Sequence, residues 1–113
     1  MTQKELLDQL TQSSSLTQLQ SYVKKVIDLR GFGEETPQDV LLMLMEEVGE
    51  LAKAVRKQAG LPVDATRLGN YDTIESEVAD VLILLLSLCN TVGVNAMQAA
   101  LEKETINCKR DWR

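Results

Sequence analysis

Two segments of this 113-residue chain carry pairs of carboxylates at a spacing suited to metal binding. Glu47 and Glu50 lie in MEEVGEL, and Glu77 and Asp80 lie in ESEVADVL. A spacing of three residues puts both members of a pair on one side of a helix. Burying an isolated carboxylate is costly, so acids on a buried helix face are expected to be protonated, paired with a base or bound to a metal.

Each acid pair falls within the apolar stripe of its predicted helix. At about 100° per residue, the first pair shares its stripe with five apolar side chains: Val40, Met43, Leu44, Leu51 and Ala54. The second pair shares its stripe with four: Ile74, Val81, Leu84 and Leu88. No basic residue occupies either stripe. The pattern predicts a divalent cation between two helices, and the alternative is solvated acids, with Glu50 paired to Lys53.

The absence of histidine narrows the chemistry further. It excludes Ser-His-Asp and Cys-His catalysis and the Glu-x-x-His pattern of di-iron bundles. Proton transfer then falls to carboxylates, Lys, Tyr or water activated by a metal ion. Ligation by carboxylates alone favours Mg²⁺ or Mn²⁺ over zinc or copper. Glu46 lies about a quarter-turn from the first stripe, as a flanking ligand or a surface acid.

Length and charge limit the class of protein and its partners. A chain of 113 residues suits one domain with a modest core. The net charge of -5 argues against a nucleic-acid polymer as the main partner. The apolar run at 78–88 is too short for a bilayer and no leader pattern opens the chain, so we expect a cytoplasmic protein without membrane attachment. Cys89 and Cys108 are expected to be reduced packing residues.

Helical spacing and capping residues predict the elements that carry these acids. Residues 1–16 form a polar N-terminal arm or short helix, and residues 17–113 form a helical domain. Four helices are predicted in that domain, over about 17–30, 37–58, 72–91 and 95–108. The third is apolar nearly all round from 78 to 88, which predicts that it is the central, most buried helix. With no strand-like alternation, the predicted fold class is all-α and four-helix bundle-like.

Local signals set the predicted helix starts. Thr36 followed by Pro37 combines a capping hydroxyl with a proline in the first turn. Asp72 with Glu75 forms a capping-box pattern for the third helix, and Asn95 supplies a cap for the fourth. If the second and third helices pack antiparallel, the two acid pairs face each other and four carboxylates converge.

Several segments together resemble a known family. The patterns EEVGEL and ESEVADVL, the TP helix start, the LRGF segment and the tail KETINCKRDW resemble the MazG-like nucleotide pyrophosphohydrolases, from about residue 22 to 113. The resemblance implies a short single-domain form of the all-α NTP pyrophosphatase type. Such an enzyme cleaves a (deoxy)nucleoside triphosphate between the α- and β-phosphates, giving a monophosphate and pyrophosphate. House-cleaning of nonstandard nucleotides is a role that this resemblance suggests.

The resemblance also implies roles for individual residues. The implied ligands of Mg²⁺, or Mn²⁺, are four acids: Glu47, Glu50, Glu77 and Asp80. Either Glu46 or Glu47 would position or deprotonate the attacking water. The implied triphosphate contacts are Lys103, Asn107 and Arg110, spaced i, i+4 and i+7, for which the alternative is a solvated polar face. Phe32 stands in LRGF where many members carry Trp, and would stack on the base.

The resemblance implies a homodimer or homotetramer in which neighbouring chains complete the site. Two other functions stay open from the sequence. One is a non-catalytic helical oligomerisation module, which predicts no need for acids within its apolar faces. The other is a nucleotide-binding regulator that keeps metal and ligand but turns over slowly. Release of pyrophosphate separates an enzyme from both.

Overall fold

The computed structural model describes residues 1–60 and 73–110 and confirms the predicted all-α class. The described residues contain no strand and form five helices: α1 (Gln3–Leu7), α2 (Leu16–Leu29), α3 (Pro37–Gln58), α4 (Ile74–Val92) and α5 (Ala96–Asn107). The bounds of α2, α3 and α5 agree with the predicted helices to within about one residue. The polar arm contains the short helix α1, whose Leu6 is buried.

The chain divides into two compact units. One is Thr36–Leu85, which we call the central unit, and the other joins Met1–Glu35 with Leu86–Arg113, which we call the terminal unit. The central unit holds α3 and most of α4, and therefore all the acids with predicted chemistry. The proposed division into an arm, 1–16, and a helical domain, 17–113, stays a prediction.

The start of α3 is fixed by the predicted cap, Thr36, together with Asp39 in the first turn. Thr36 Oγ1 accepts a hydrogen bond from the backbone N–H of Asp39 at 3.2 Å, and Asp39 Oδ2 accepts one from the N–H of Thr36 at 3.1 Å. Pro37 occupies the first turn, where its missing N–H costs nothing. The helix runs to Gln58, and Gly60 follows with a φ of 75°, which glycine adopts without strain.

The start of α4 differs from the predicted one. The predicted cap, Asp72, lies outside the described residues. Thr73 Oγ1 accepts a hydrogen bond from the N–H of Ser76 at 3.1 Å, so this threonine caps a helix that begins at Ile74. The helix ends at Val92, one residue beyond the predicted end, and Gly93 follows with a φ of 73°.

Burial on α3 follows the predicted stripe. Val40, Leu44 and Ala54 are buried, and Met43 and Leu51 are half-buried. Burial of this stripe stabilises the fold, since removing apolar surface from water is the main favourable term in folding. The stripe containing Glu47 is therefore the buried face of α3.

The helix predicted to be the most buried, α4, carries a larger share of buried and half-buried residues than the other described helices, but it is not covered on every side. Within 78–88, four large apolar side chains of α4 are exposed: Val78, Leu82, Ile83 and Leu85. The predicted stripe is better covered, because Val81, Leu84 and Leu88 are half-buried. A helix that is apolar all round needs neighbours on every side. Hydropathy does not show whether those neighbours belong to the same chain.

In the terminal unit, α2 packs against α1 and α5 around a buried glutamine that the apolar spacing did not predict. Gln20 Nε2 donates to Asn90 Oδ1 at 3.0 Å and to the Val94 carbonyl at 2.7 Å, while its Oε1 accepts from the Ala96 N–H at 2.9 Å. These bonds satisfy the side-chain amide and attach the turn between α4 and α5 to α2.

None of the described helices alone is long and apolar enough to cross a membrane, and only α4 and α5 together, as a bent pair, reach that length and composition.

Candidate metal centre

Three carboxylates converge within the central unit. Glu47 comes from α3, and Glu77 and Asp80 come from α4; one carboxylate oxygen of each lies within 4.8 Å of the other two. Because Glu77 and Asp80 are three residues apart on one helix, both side chains reach the same point on the facing side of α3. The structure thus brings together three of the four predicted metal ligands.

Burial places Glu77 at the inner end of this acid cluster. Its exposed fraction is only 2%, whereas Glu47 is half-buried and Asp80 is partly exposed. Glu77 lies in the first turns of α4, where the positive end of the helix dipole favours a negative charge. A cation bound here would neutralise negative charge that the three adjacent carboxylates share.

The dimensions of the cluster fit a small divalent cation. Mg²⁺ holds oxygens at about 2.1 Å in octahedral geometry, so oxygens in adjacent positions are roughly 3 Å apart and opposite ones roughly 4.2 Å. The three oxygens of the cluster, which lie within 4.8 Å of one another, would therefore have to move inward to bind one ion. All three donors are carboxylate oxygens, which are the ligands that Mg²⁺, Mn²⁺ and Ca²⁺ prefer.

Glu50, the fourth predicted ligand, lies outside the cluster. Its Oε1 accepts from Lys53 Nζ at 3.3 Å, and its side chain is 49% exposed. A projection at about 100° per residue places Glu50 some 60° from Glu47, toward the side that carries Lys53. The structure therefore shows the ion pair that the sequence offered as the alternative for this residue.

Glu46 is exposed on α3, beside Glu47 in the sequence but outside the cluster. Its position is the one expected for a residue about a quarter-turn from the buried stripe. A carboxylate here is accessible to water while its neighbour faces the acids of α4. The structure thus gives the two candidate bases different surroundings.

The three predicted triphosphate contacts belong to the terminal unit and do not share one helix face. Lys103 is exposed on α5, and Asn107, one turn later, is the last helical residue and donates from Nδ2 to Glu104 Oε1 at 3.1 Å. Arg110 lies in the turn beyond, where its N–H bonds to the Asn107 carbonyl at 3.1 Å. The prediction that Arg110 lies on the same face of this helix is wrong, because α5 ends at Asn107, before Arg110.

Phe32 lies in the segment between α2 and α3 and is 53% exposed. Its N–H bonds to the Ile27 carbonyl at 3.1 Å, directly after Gly31, whose φ of 82° suits glycine. An ordered backbone thus presents an aromatic ring to solvent. This is compatible with the predicted stacking role.

Comparison with known proteins shows the family of the chain. Residues 35–107 match the MazG nucleotide pyrophosphohydrolase domain, a stretch that includes all four predicted metal ligands. The chain belongs to this family, as the motifs predicted. The dATP/dGTP diphosphohydrolase of Cyanophage S-2L is 34% identical to the chain over 79 residues, which are 70% of this chain. The chain spans only 61% of the length of that relative.

Proposed function

We propose that this protein hydrolyses nucleoside triphosphates to nucleoside monophosphates and pyrophosphate, with Mg²⁺ or Mn²⁺ as cofactor. The observation that carries the proposal is the buried carboxylate of Glu77 beside Glu47 and Asp80, in a chain of the MazG family. An oligomerisation module has no need of three carboxylates that converge on one point.

The acid cluster would hold the metal ion through Glu47, Glu77 and Asp80, with Glu50 as a predicted fourth ligand. A divalent cation bound there would neutralise charge on the triphosphate and make a nearby water more acidic. Glu77, as the most buried of the three, would fix the inner side of the ion. Glu47 and Asp80, being more accessible, would face the side from which the substrate enters.

A carboxylate is the best available group to orient the attacking water and accept its proton, since the chain has no histidine. Glu46 and Glu47 are the two predicted candidates. Glu46 is accessible and outside the cluster, so it would act on water without giving up a metal contact. The anhydride bond between the α- and β-phosphates would break, and the protonated carboxyl would return its proton to solvent or product.

Purine deoxynucleoside triphosphates are the first substrates we propose. The relative from Cyanophage S-2L is a dATP/dGTP diphosphohydrolase, and the family match at residues 35–107 includes the acids of the cluster. The exposed ring of Phe32 offers a stacking surface, which any base accepts, so stacking alone does not select a purine. House-cleaning of nonstandard nucleotides is the broader role we propose for such an activity.

We also propose that the protein is a homodimer or homotetramer. The support is exposed apolar surface in the central unit. Four large apolar side chains of α4 are exposed: Val78, Leu82, Ile83 and Leu85. Four of α3 are exposed as well: Leu41, Leu42, Met45 and Val48. Several large apolar side chains exposed on the same two helices are typical of a surface that binds another protein chain.

The direct test of the proposed function is pyrophosphate release from a panel of nucleotides. With Mg²⁺ present, dATP and dGTP should each yield one pyrophosphate and one monophosphate per turnover, and excess chelator should abolish the reaction. Chromatography of the nucleotide products distinguishes this cleavage from removal of a single phosphate. Metal-dependent nucleotide binding without any product would instead favour the regulator, and turnover in excess chelator would contradict the metal mechanism.

The predicted triphosphate contacts make a second test. Lys103→Ala and Arg110→Ala should each raise KM for the nucleotide by about tenfold or more, the scale of a charge-assisted hydrogen bond, with a smaller change in kcat. Lys109→Ala is the matched control, since it removes an exposed neighbouring cation for which no role is predicted. The melting temperature should barely change in any of the three, because exposed charges contribute little to folding. Unchanged KM in both variants would return these residues to an ordinary solvated surface.

A further inference from the structure

We propose that Lys53 tunes the metal affinity of the acid cluster by competing with the cation for Glu50. This inference rests on the proposed function, since it presumes a cation at Glu47, Glu77 and Asp80. Its starting point is the ion pair on α3, in which Lys53 Nζ and Glu50 Oε1 are 3.3 Å apart. One side-chain carboxylate of the predicted quartet is thus bound by a cation of the chain itself.

The geometry of α3 makes Glu50 available to either partner. Residues three apart on a helix are neighbours on its surface, so Glu50 lies within reach both of Lys53 and of the position occupied by Glu47. Its side chain needs only a change of rotamer to turn from one to the other, and its 49% exposure leaves room for that change. Glu50 therefore has two alternative electrostatic partners, one on each side.

The strength of the competing pair sets the size of the effect. Lys53 is 42% exposed and its pair with Glu50 is screened by water, so the pair is weak. A divalent cation should displace the lysine and draw Glu50 to the cluster, at the small cost of breaking the pair. Removing the lysine removes that cost, and metal affinity should rise. The upper half of the range measured for exposed ion pairs, ~0.5–1 kcal/mol, corresponds to about a two- to fivefold change in the dissociation constant.

Calorimetric titration of the nucleotide-free protein with Mn²⁺ tests this directly. Lys53→Met should lower the Kd for Mn²⁺ by about two- to fivefold, and Lys53→Arg, which keeps the pair, should stay near the wild-type value. The matched control is Lys24→Met, which removes a lysine from another exposed helical pair, with Asp28 at 3.6 Å on α2. It makes the same change in net charge and should leave the Kd unchanged.

The same titrations in a Glu50→Gln background separate competition from bare charge. There Lys53 has no carboxylate to hold, so Lys53→Met should have little further effect on the Kd. An equal gain in both backgrounds, or no gain in the wild-type background, would overturn the competition while leaving the metal centre intact. Failure of the wild-type protein itself to bind Mn²⁺ would overturn the proposed metal centre and this inference together.

Discussion

Replacing Glu77 by glutamine is expected to lower kcat by at least about a hundredfold, the upper range measured for groups that merely support metal ligands. The amide keeps the volume and the rotamers of the side chain but removes the charge that would hold the inner side of the cation. Asp80→Asn and Glu47→Gln should have effects of the same order, because all three acids contribute to one cluster. Steady-state pyrophosphate release with saturating Mg²⁺ measures the loss, and far-ultraviolet circular dichroism checks that the helices remain.

The control for this series is Glu75→Gln. Glu75 lies in the same first turn of α4 and is exposed, so its substitution makes the same change in charge outside the cluster. It should keep kcat within about twofold, because the predicted role of Glu75, capping the start of α4, does not involve the metal ion. Wild-type turnover in Glu77→Gln, or an equal loss in Glu75→Gln, would show that the acid cluster is not the site.

Glu50→Gln tests whether three or four acids serve the cation. The sequence predicts a ligand at Glu50, whereas the structure shows it paired with Lys53. If metal binding draws Glu50 to the cluster as we propose, Glu50→Gln should also lose most activity. A loss much smaller than that of Glu77→Gln would instead assign the metal to three carboxylates.

The sequence predicted the helix that carries Glu47 closely because its signals are local. Thr36, Pro37 and Asp39 act on each other within one turn, and their reciprocal hydrogen bonds are observed. The acid cluster was predictable for a related reason. Burying an acid is costly unless a base or a cation compensates its charge. Because the stripe contains no basic residue, the pattern predicted a bound cation.

The features that the sequence did not predict depend on the surroundings of a residue in the folded protein or on small free-energy differences. The exposure of Val78 and Leu82 depends on what surrounds α4, which the periodicity of one helix does not contain. Gln20 is polar yet buried, because partners about 70 residues away satisfy its amide. The orientation of Glu50 depends on a small free-energy difference between pairing with Lys53 and turning toward Glu47. The end of α5 before Arg110 depends on the last turn of the helix, and sequence signals do not fix a helix end to the exact residue.

The acid cluster should also couple metal binding to stability. Three carboxylates in mutual proximity repel each other, and Glu77 is removed from water as well, so the metal-free fold carries a cost that a cation removes. A ligand that binds only the folded state at a hundred times its Kd stabilises by about 2.7 kcal/mol. For a domain of about this size, 1 kcal/mol corresponds to roughly 4–8 °C in Tm. Saturating Mn²⁺ should therefore raise Tm by about 10 °C or more.

The decisive observation is a pair of opposite shifts in one variant. In excess chelator, Glu77→Gln should melt at a higher temperature than the wild-type protein, because the amide removes the repulsion between Glu77 and the carboxylates of Glu47 and Asp80. On addition of Mn²⁺ the order should reverse, since the wild-type protein gains the binding free energy and the variant loses most of it. Glu75→Gln should follow the wild-type protein in both conditions. A Glu77→Gln variant that is less stable in chelator would mean that the carboxylate is stabilised by the protein alone, and the argument from burial to a metal ion would fail.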